Sequence, residues 1–529
     1  MVNLINNKYK EYLRNVFPCI YYGLACGIFT GLIVFCFKFA AGKVDKLSHY
    51  IYSFAKESPL YAILILAFFA ALGSLMAFLH SKAPEIKGGG IPRSEGVIRG
   101  VITFRALRTL VGTFAASLLG FLCGMPTGSE GPAVLMGTSA GSILTRSSDN
   151  HTPWKRYIMT GGAGAGFAVA TGSPLSGIIF ALEEIHKRFT PMLVLMVSVS
   201  VLSATGVNEI LCSLTDTKSA LFEFEALPGF SIGDSGYLVL VGILTALAVG
   251  VFDASLALFS KATVKLRKKI NSYIRIALIF LVAAVVVMLV PDAAYSGHHL
   301  IEHIINGNQA VKFLVIVLVI RLVMMLLVTD NGVTGGIFIP TLAIGALTGA
   351  LIAKILISFG MPQEYFSQIV LLSMCAFIGG TLRAPLTSAI LFLELTMQFQ
   401  NLFYVSLVVF TVYSITSLLN QTPFYDRVLE FMEEEQNEGK EAVISCFSMK
   451  VSHNSFVVGK TVRDVLWPAS SVVMSVTRAD ESKEDMDHDG EKKLFPEDTV
   501  VIRSKYYDEA DLIETLSSLV GKDYEIKKI

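Results

Sequence analysis

Charged residues are scarce in this sequence. Only 16% of its 529 residues are Asp, Glu, Lys or Arg, whereas 53% are hydrophobic, so the composition excludes an ordinary soluble protein and indicates a polytopic membrane protein. The 43 basic and 43 acidic side chains cancel, which leaves no basic excess to indicate nucleic-acid binding. The seven cysteines show neither metal-ligand spacing nor a disulfide framework, and we expect no metal site.

Long apolar stretches recur between about residues 19 and 419, but several are shorter than the roughly 20 residues that cross a bilayer. Short helices broken by glycine are tolerated at membrane depth only where protein buries them or where they line a cavity. We therefore predict an all-α bundle of spanning and broken helices. The first stretch is too long for a removable signal peptide and lacks a small-residue cleavage site, and Lys8, Lys10 and Arg14 before it favour a cytoplasmic N-terminus.

One acidic residue, Glu130, stands at the start of an apolar predicted helix. It lies in Gly-Ser-Glu-Gly-Pro, residues 128–132, where glycines permit close backbone packing and Pro132 suits a first helical turn. An ionisable side chain at membrane depth is costly and by default indicates function. Because N–H groups at a helix start bind anions, the carboxylate can occupy such a site itself or leave it to a free anion. The alternative is a helix-terminal acid that the dipole merely stabilises.

The chain repeats this pattern in its second half. Residues 336–340, Gly-Ile-Phe-Ile-Pro, correspond to residues 128–132, and in both copies glycines follow the proline by five and nine positions. A second pair of segments, residues 170–184 and 380–394, aligns Glu183 with Glu394. Two diverged halves with Gly/Pro-interrupted segments indicate an internal, inverted repeat and a transport site at its interface. The alternative is that glycine and proline are simply frequent in membrane helices.

Four segments in register resemble the CLC family of chloride channels and chloride/proton exchangers. Residues 128–132 resemble its G-R-E-G-P motif, residues 88–92 its G-S-G-I-P motif and residues 336–340 its G-x-F-x-P motif. Residues 422–425, Thr-Pro-Phe-Tyr, resemble the segment that carries the family's late anion-coordinating tyrosine. The resemblance covers about residues 15–435.

The resemblance implies roles for individual residues. Glu130 would be the gating glutamate, which closes the anion path when ionised and swings away when protonated or displaced. Glu184 would be the internal glutamate that relays protons in the family's exchangers, and Tyr425 would offer its hydroxyl to the anion. The other positions of the implied anion site are Gly89, Ile91, Gly128, Ser129, Gly131, Ile337, Phe338 and Ile339, of which Phe338 and Ile339 would offer backbone N–H groups.

Each role has a plainer alternative. Glu184 could be a charge at a cytosolic helix end, and Tyr425 could be an aromatic anchor at the membrane interface. Neutral donors nevertheless suit chloride, because a fixed cation would bind it too tightly for rapid release.

Two positions depart from the family pattern. Gly89 replaces the serine of G-S-G-I-P, so one hydroxyl is absent and discrimination of chloride from nitrate is in question. Ser129 replaces the arginine before the gating glutamate, and the lost positive charge should weaken the attraction of anions. Fluoride-exporting relatives generally lack the late tyrosine, so Tyr425 argues against fluoride.

The composition changes after about residue 423. We divide the chain into a transmembrane domain, residues 1–435, and a small α/β cytosolic domain, residues 436–529, with strands predicted at residues 455–458, 472–476 and 499–502 and a helix at 510–520. This tail resembles a TrkA-C (RCK C-terminal) domain rather than paired CBS domains. The resemblance implies a sensor of a small molecule, for example a cyclic dinucleotide, or a dimerisation module; the alternative is a passive domain that aids assembly.

Together these features predict a membrane transporter rather than an enzyme. It would be a homodimer in the lipid bilayer of a prokaryotic cell, with both termini cytoplasmic and no cofactor, exchanging chloride for protons. A passive voltage- or proton-gated chloride channel of the same fold is the first alternative. The others are a solute or cation transporter with a TrkA-C tail, and a sensory or assembly protein that transports nothing.

Overall fold

The chain folds mostly into helices, since in a bilayer the backbone N–H and C=O groups must be satisfied within the protein. The computed structural model describes residues 2–528 apart from 146–152, 220, 223, 225–228, 306–308, 420–421, 438–439, 469–470, 480–482 and 486–489. The helices of the membrane part are α1 (Val2–Phe54), α2 (Pro59–Lys82), α3 (Gly90–Arg99), α4 (Ala106–Cys123), α5 (Glu130–Leu144), α6 (Lys155–Thr171), α7 (Pro174–Phe180), α8 (Pro191–Thr215), α9 (Ser235–Lys269), α10 (Ser272–Leu289), α11 (His298–Ile305), α12 (Val311–Asp330), α13 (Phe338–Ser358), α14 (Phe366–Leu382), α15 (Pro385–Thr396), α16 (Leu402–Leu418) and α17 (Phe424–Gln436).

This bundle contains both helices that can span a membrane and shorter, broken helices. Within the described residues, ten helices are long and apolar enough to cross a membrane. By contrast, α5, α6, α7 and α15 have 15, 17, 7 and 12 residues, and most residues of α5, α6 and α15 are buried among other helices. The prediction of a multi-pass bundle with broken helices is confirmed.

The two halves of the bundle meet through reciprocal contacts. Gly128 and Gly336, which are equivalent in the repeat, form an antiparallel backbone pair with N–H···O distances of 2.6 and 2.8 Å. Glu183 accepts hydrogen bonds from the first N–H groups of α15, and its equivalent Glu394 accepts them from the first N–H groups of α7. Equivalent residues that exchange places in this way indicate a two-fold relation between the halves, as the predicted internal repeat requires. Both glutamates are helix caps.

The residues after α7 do not continue as a regular helix. They form a π-helical turn, Ala181–Ile185, which carries both Glu183 and Glu184. Inserted π turns inside helices are frequent at functional sites, because they redirect side chains that an α-helix would place elsewhere. The turn lets Glu183 reach α15 while Glu184 stays buried in the bundle.

The C-terminal domain contains one sheet and one helix. Its strands are β1 (Val443–Lys450), β2 (Ser471–Thr477), β3 (Lys483–Asp485), β4 (Thr499–Tyr506) and β5 (Tyr524–Lys528), and its helix is α18 (Glu509–Leu519). The strands pair antiparallel in the order β3-β2-β4-β1-β5. Apolar side chains at alternate positions of β1 and β4 pack with α18, so the predicted small α/β domain and its helix are confirmed.

One predicted strand of this domain is wrong. Residues 455–458 form a turn rather than a strand. Val457 is buried in the domain core, and the Phe456 ring packs against that core while it also contacts Trp154 of the membrane part at a centroid distance of 5.3 Å. This run of apolar residues therefore packs in a turn between the domain and the bundle and does not pair in the sheet.

The C-terminal domain is docked on the bundle through its backbone. Tyr157, Arg156 and Arg188 donate hydrogen bonds to the carbonyl oxygens of three successive residues, 464–466, at 2.8, 3.1 and 3.3 Å. Tyr157 and Arg156 lie in the first turn of α6, and Arg188 follows the π turn. The domain therefore contacts the bundle next to the segment that carries Glu184.

Candidate functional site

Glu130 is fully buried at the start of α5. Its Oε1 atom accepts a hydrogen bond of 3.0 Å from the Ser129 hydroxyl, and its Oε2 atom has no full hydrogen bond among the described residues. Oε2 lies over Gly128, where an added Cβ would collide with it. The carboxylate can fold back over the backbone because residue 128 is glycine.

The start of α13 faces this carboxylate. Pairing of Gly128 with Gly336 brings the first turns of α5 and α13 together, and the carboxylate is oriented toward the backbone N–H groups of Ile339 and of Glu130 itself. First-turn N–H groups have no partner within their own helix, so two converging helix starts offer donors of the kind that bind anions. In this structure the carboxylate lies beside these donors.

Side chains around the start of α13 serve packing. Ile337, Phe338 and Ile339 are all buried, and the Phe338 ring packs edge-on against Phe167 at 5.1 Å. Gly131 lies so close to Gly336 that an added Cβ would approach the Gly336 Cα within 2.8 Å. At this junction the backbone is therefore the part of the chain that can contact an anion.

A third helix, α3, begins at the same junction. Gly89 is its N-cap residue, in an extended conformation with φ of −72°, and Ile91 in its first turn is buried. A Cβ added to Gly89 would make only ordinary contacts, 3.7 Å from the Gly335 carbonyl oxygen and 3.8 Å from Ile337. The fold therefore has room for the serine that the family motif carries here.

Tyr425 lies in the first turn of α17 and is 1% exposed. Its hydroxyl is buried without a hydrogen-bond partner among the described residues. Both Glu130 and Glu184 lie within electrostatic range of it. A buried hydroxyl without a partner carries a free-energy cost of about 1–3 kcal/mol, and here it is a donor available to an anion between the two acids. Burial excludes the alternative of an aromatic anchor at the membrane interface.

Glu184 is 2% exposed, and its Oε1 atom has no hydrogen-bond partner in the described part of the chain. A solvated helix-end charge is therefore excluded. Glu95, Lys187, Asp426 and the adjacent Glu183 are within electrostatic range of Glu184. Glu184 thus borders a partly buried cluster of charged residues, on the side of the bundle that faces the C-terminal domain.

This cluster was not predicted from the sequence. Glu95, fully buried in α3, accepts hydrogen bonds through Oε1 from Arg99 at 2.8 Å and from Lys187 at 3.0 Å. Lys187 also pairs with Asp426, and its backbone is held in the left-handed region at φ of 55°. Lys187 and Asp426 are partly exposed, so the cluster connects Glu184 with solvent. Glu95, Lys187 and Asp426 are distant from one another in sequence. The cluster could have been suggested only by the position of Glu95, which follows the 88–92 motif within α3.

The structure places the predicted residues in two groups. Gly89, Ile91, Gly128, Ser129, Glu130, Gly131, Ile337, Phe338 and Ile339 lie together where α3, α5 and α13 begin. Tyr425 lies within electrostatic range both of Glu130, in this group, and of Glu184. These positions are compatible with an anion path between the two acids, while the roles assigned to the residues remain predictions.

One further group has metal-ligand spacing. His298, His299 and Glu302 offer ligand atoms within 4.8 Å of one another. The His298 ring, however, already contacts the Leu221 carbonyl oxygen and stacks on Phe222, and the other two side chains are exposed. We assign no metal to them.

Comparison with known proteins agrees with this geometry. The family described as "Voltage gated chloride channel" matches residues 72–417. The H(+)/Cl(-) exchange transporter ClcA of Vibrio cholerae is 28% identical over 440 residues, covering 80% of this chain and 91% of that protein. The protein of the same name from Vibrio vulnificus is 31% identical over 346 residues, covering 64% of this chain and 72% of that one.

The fold agrees with a solved structure as well. A slow cyanobacterial Cl−/H+ antiporter superposes with a TM-score of 0.72 at 22% identity, covering 79% of this chain and 99% of that one. The matched family region ends before the C-terminal domain, whose resemblance to TrkA-C stays a prediction. Because that region takes in more than half of the chain, including both repeats, the protein belongs to the voltage gated chloride channel family.

Proposed function

We propose that this protein exchanges chloride for protons across the membrane. The observation that carries the proposal is the position of the Glu130 carboxylate, buried between the starts of α5 and α13 where an anion would bind. The names of the two Vibrio relatives, both exchange transporters, support the same activity. Exchange requires a group whose protonation and whose blocking of the anion path exclude each other, and Glu130 is placed to be that group.

The proposed cycle follows from charge. Ionised Glu130 occupies the helix-start site and excludes chloride. When the carboxylate takes up a proton, it loses its attraction for the helix dipoles, and chloride takes its place beside the N–H groups of Phe338 and Ile339. The Tyr425 hydroxyl donates to chloride farther along the path. When chloride leaves, the site again favours the ionised carboxylate, and the proton is released.

Protons reach the opposite side by a route separate from that of chloride. Glu184 is the acid on that route, since its buried carboxyl group has a free oxygen and borders the cluster of Glu95, Lys187 and Asp426. Lys187 offsets the charge of that cluster, and the partly exposed Asp426 connects it to solvent. One acid at each end of the path gives two protonation sites, and the binding of chloride requires neither of them.

Chloride-driven proton uptake tests the proposal. Purified protein is reconstituted into vesicles loaded with chloride, with valinomycin and potassium to dissipate the membrane potential, and the external pH is recorded. Antiport predicts proton uptake as chloride leaves. Chloride release without proton movement would indicate the passive channel, and absence of chloride release would support a cation or solute transporter or a protein that transports nothing.

Replacement of Gly89 by serine should alter anion selectivity. The site has space for the side chain, and the added hydroxyl donates to one point, which suits a spherical chloride better than a planar nitrate whose charge is spread over three oxygens. We expect the ratio of chloride to nitrate transport to rise roughly threefold to tenfold, as one added hydrogen bond of about 1 kcal/mol allows. Vesicle efflux with either anion measures the ratio. Gly206→Ser, where an added Cβ meets no atom within 4 Å, is the control, and an unchanged ratio in Gly89→Ser would place residue 89 outside the anion path.

The C-terminal domain is proposed to regulate transport or to stabilise a homodimer with one path in each subunit. Its docking on the first turn of α6 and on Arg188 supports a regulatory role, since a shift of residues 464–466 would act next to Glu184. A small molecule, for example a cyclic dinucleotide, would act through this contact. The mass of the purified protein in detergent tests the dimer, and nucleotide titration during proton uptake tests regulation.

A further inference from the structure

A lysine in the long first helix lies close to the site that Glu130 closes. The Lys38 ammonium donates hydrogen bonds to the carbonyl oxygens of Val169 at 2.8 Å and of Ser219 at 3.1 Å. An ammonium group has three N–H donors, so one remains after these two bonds. A cation within a membrane span is costly and is rarely present without a function. Lys38 is thus held in place by two carbonyl oxygens, and its third donor has no partner in the described part of the chain.

This lysine lines the same cavity as the residue before the gating acid. The cavity has a volume of about 600 Å³, and its walls include Lys38, Thr127, Ser129 and Ile339. Ser129 bonds directly to the Glu130 carboxylate, and Lys38 is within electrostatic range of that carboxylate. The cavity therefore leads to the anion site from the end opposite Glu184.

The other charged groups that face the cavity would leave it negatively charged without Lys38. They are Asp45, Lys218 and Asp292, together with the imidazoles of His49, His298 and His299. Two lysines thus face two aspartates, so loss of Lys38 leaves an excess of one negative charge, to which ionised Glu130 adds another. A cavity of that sign would repel anions.

We propose that Lys38 supplies the positive charge that residue 129 does not carry, and that it keeps the cavity lining from repelling the anions that enter the path. The inference rests on the proposed anion transport. The charges that line a cleft set the local concentration of a small ion and its rate of entry, so loss of the cation that balances a negative lining lowers both for chloride. The two carbonyl partners hold the ammonium to one side and weaken its field, so that it attracts chloride without retaining it.

The plainer reading is that Lys38 only ties α1 to the end of α6 and to Ser219. The two readings differ in their dependence on salt. Electrostatic attraction across a water-filled cavity is screened as ionic strength rises, because the Debye length falls from about 10 Å at 0.1 M to about 3 Å at 1 M. If Lys38 only connects these segments, its replacement would reduce chloride efflux by the same factor at every ionic strength.

The experiment compares chloride efflux of full-length wild type and Lys38→Gln in vesicles at fixed chloride, with ionic strength set by an impermeant salt. We expect efflux to fall about tenfold at low ionic strength and the difference to narrow at high ionic strength. Lys43→Gln is the matched control, since it removes a positive charge from the exposed surface of the same helix, where Lys43 contacts the Phe39 ring. It should transport like wild type.

Restoring the charge from another position completes the test. In the Lys38→Gln background, Ser129→Arg should recover most of the efflux, and Lys38→Arg alone should keep it and its salt dependence. Unchanged efflux in Lys38→Gln, a loss independent of salt, or failure of Ser129→Arg to recover a folded Lys38→Gln protein would each overturn the assignment. A wild type that releases no chloride would instead contradict the proposed function itself.

Discussion

Glu130→Gln is expected to abolish proton uptake while chloride continues to cross the membrane. Glutamine has nearly the shape of glutamate, so the packing over Gly128 and the bond from Ser129 can persist. It bears no negative charge, so it competes poorly with chloride for the helix starts, and it cannot take up and release a proton. Proton uptake should fall by at least roughly 100-fold, the size of effect typical of a lost acid–base group.

The pH dependence of the same variant gives a second readout. Chloride transport by the wild type should rise as the pH falls, because protonation removes the carboxylate from the site, whereas transport by Glu130→Gln should not respond to pH. Glu394→Gln is the control, since Glu394 is an acid of the bundle that caps α7 and takes no part in the path. If Glu130→Gln still moves protons against their gradient, the gate is another residue.

Glu184→Gln is expected to show the same loss of proton uptake with chloride transport intact, for a different reason. In the proposed cycle, Glu130 remains able to gate the anion site, but the buried acid assigned to the proton route no longer ionises. We expect proton uptake to fall by roughly 100-fold while chloride efflux stays within about twofold of wild type. Both fluxes are measured in the same vesicles, so their ratio does not depend on the amount of protein reconstituted.

The residue next to it offers a close control. Glu183→Gln makes the same chemical change one position earlier, but Glu183 caps α15 through Leu386 and Thr387. That variant should lose about 1 kcal/mol of stability, as weakened helix caps do, and should keep coupled transport. Coupling that is unchanged in Glu184→Gln would take Glu184 out of the proton route and leave Glu95 as the buried acid on that side.

The sequence was sufficient for the features that local spacing encodes. Glu130 between two glycines, the second copy at residues 336–340 and the paired glutamates at 183 and 394 all follow from spacing along the chain, and the structure confirms the repeat. The helix of the C-terminal domain was recognisable for the same reason, because its apolar positions recur with the helical period.

The features that were missed depend on contacts between distant segments. Lys38 meets Val169 and Ser219, and Lys187 meets Glu95 and Asp426, and no local pattern brings these residues together. The π turn that directs the Glu183 and Glu184 side chains to different places was also not predictable, since the same residues are compatible with a regular helix. The turn at residues 455–458 was taken for a strand because a short run of β-branched and aromatic residues is typical of strands, whereas here the run packs in a turn.

The reciprocal helix caps formed by Glu183 and Glu394 suggest how a chain of this kind arises. A symmetric dimer of half-length polypeptides, with its two copies inserted in opposite orientations, would form the same contacts. In that dimer, the same glutamate of each copy would cap a helix of the other copy. Gene duplication and fusion would turn that intermolecular contact into an internal one without a change in chemistry. Once duplicated, the copies could diverge at the centre, so that one now carries an acid at position 130 and the other a phenylalanine at position 338.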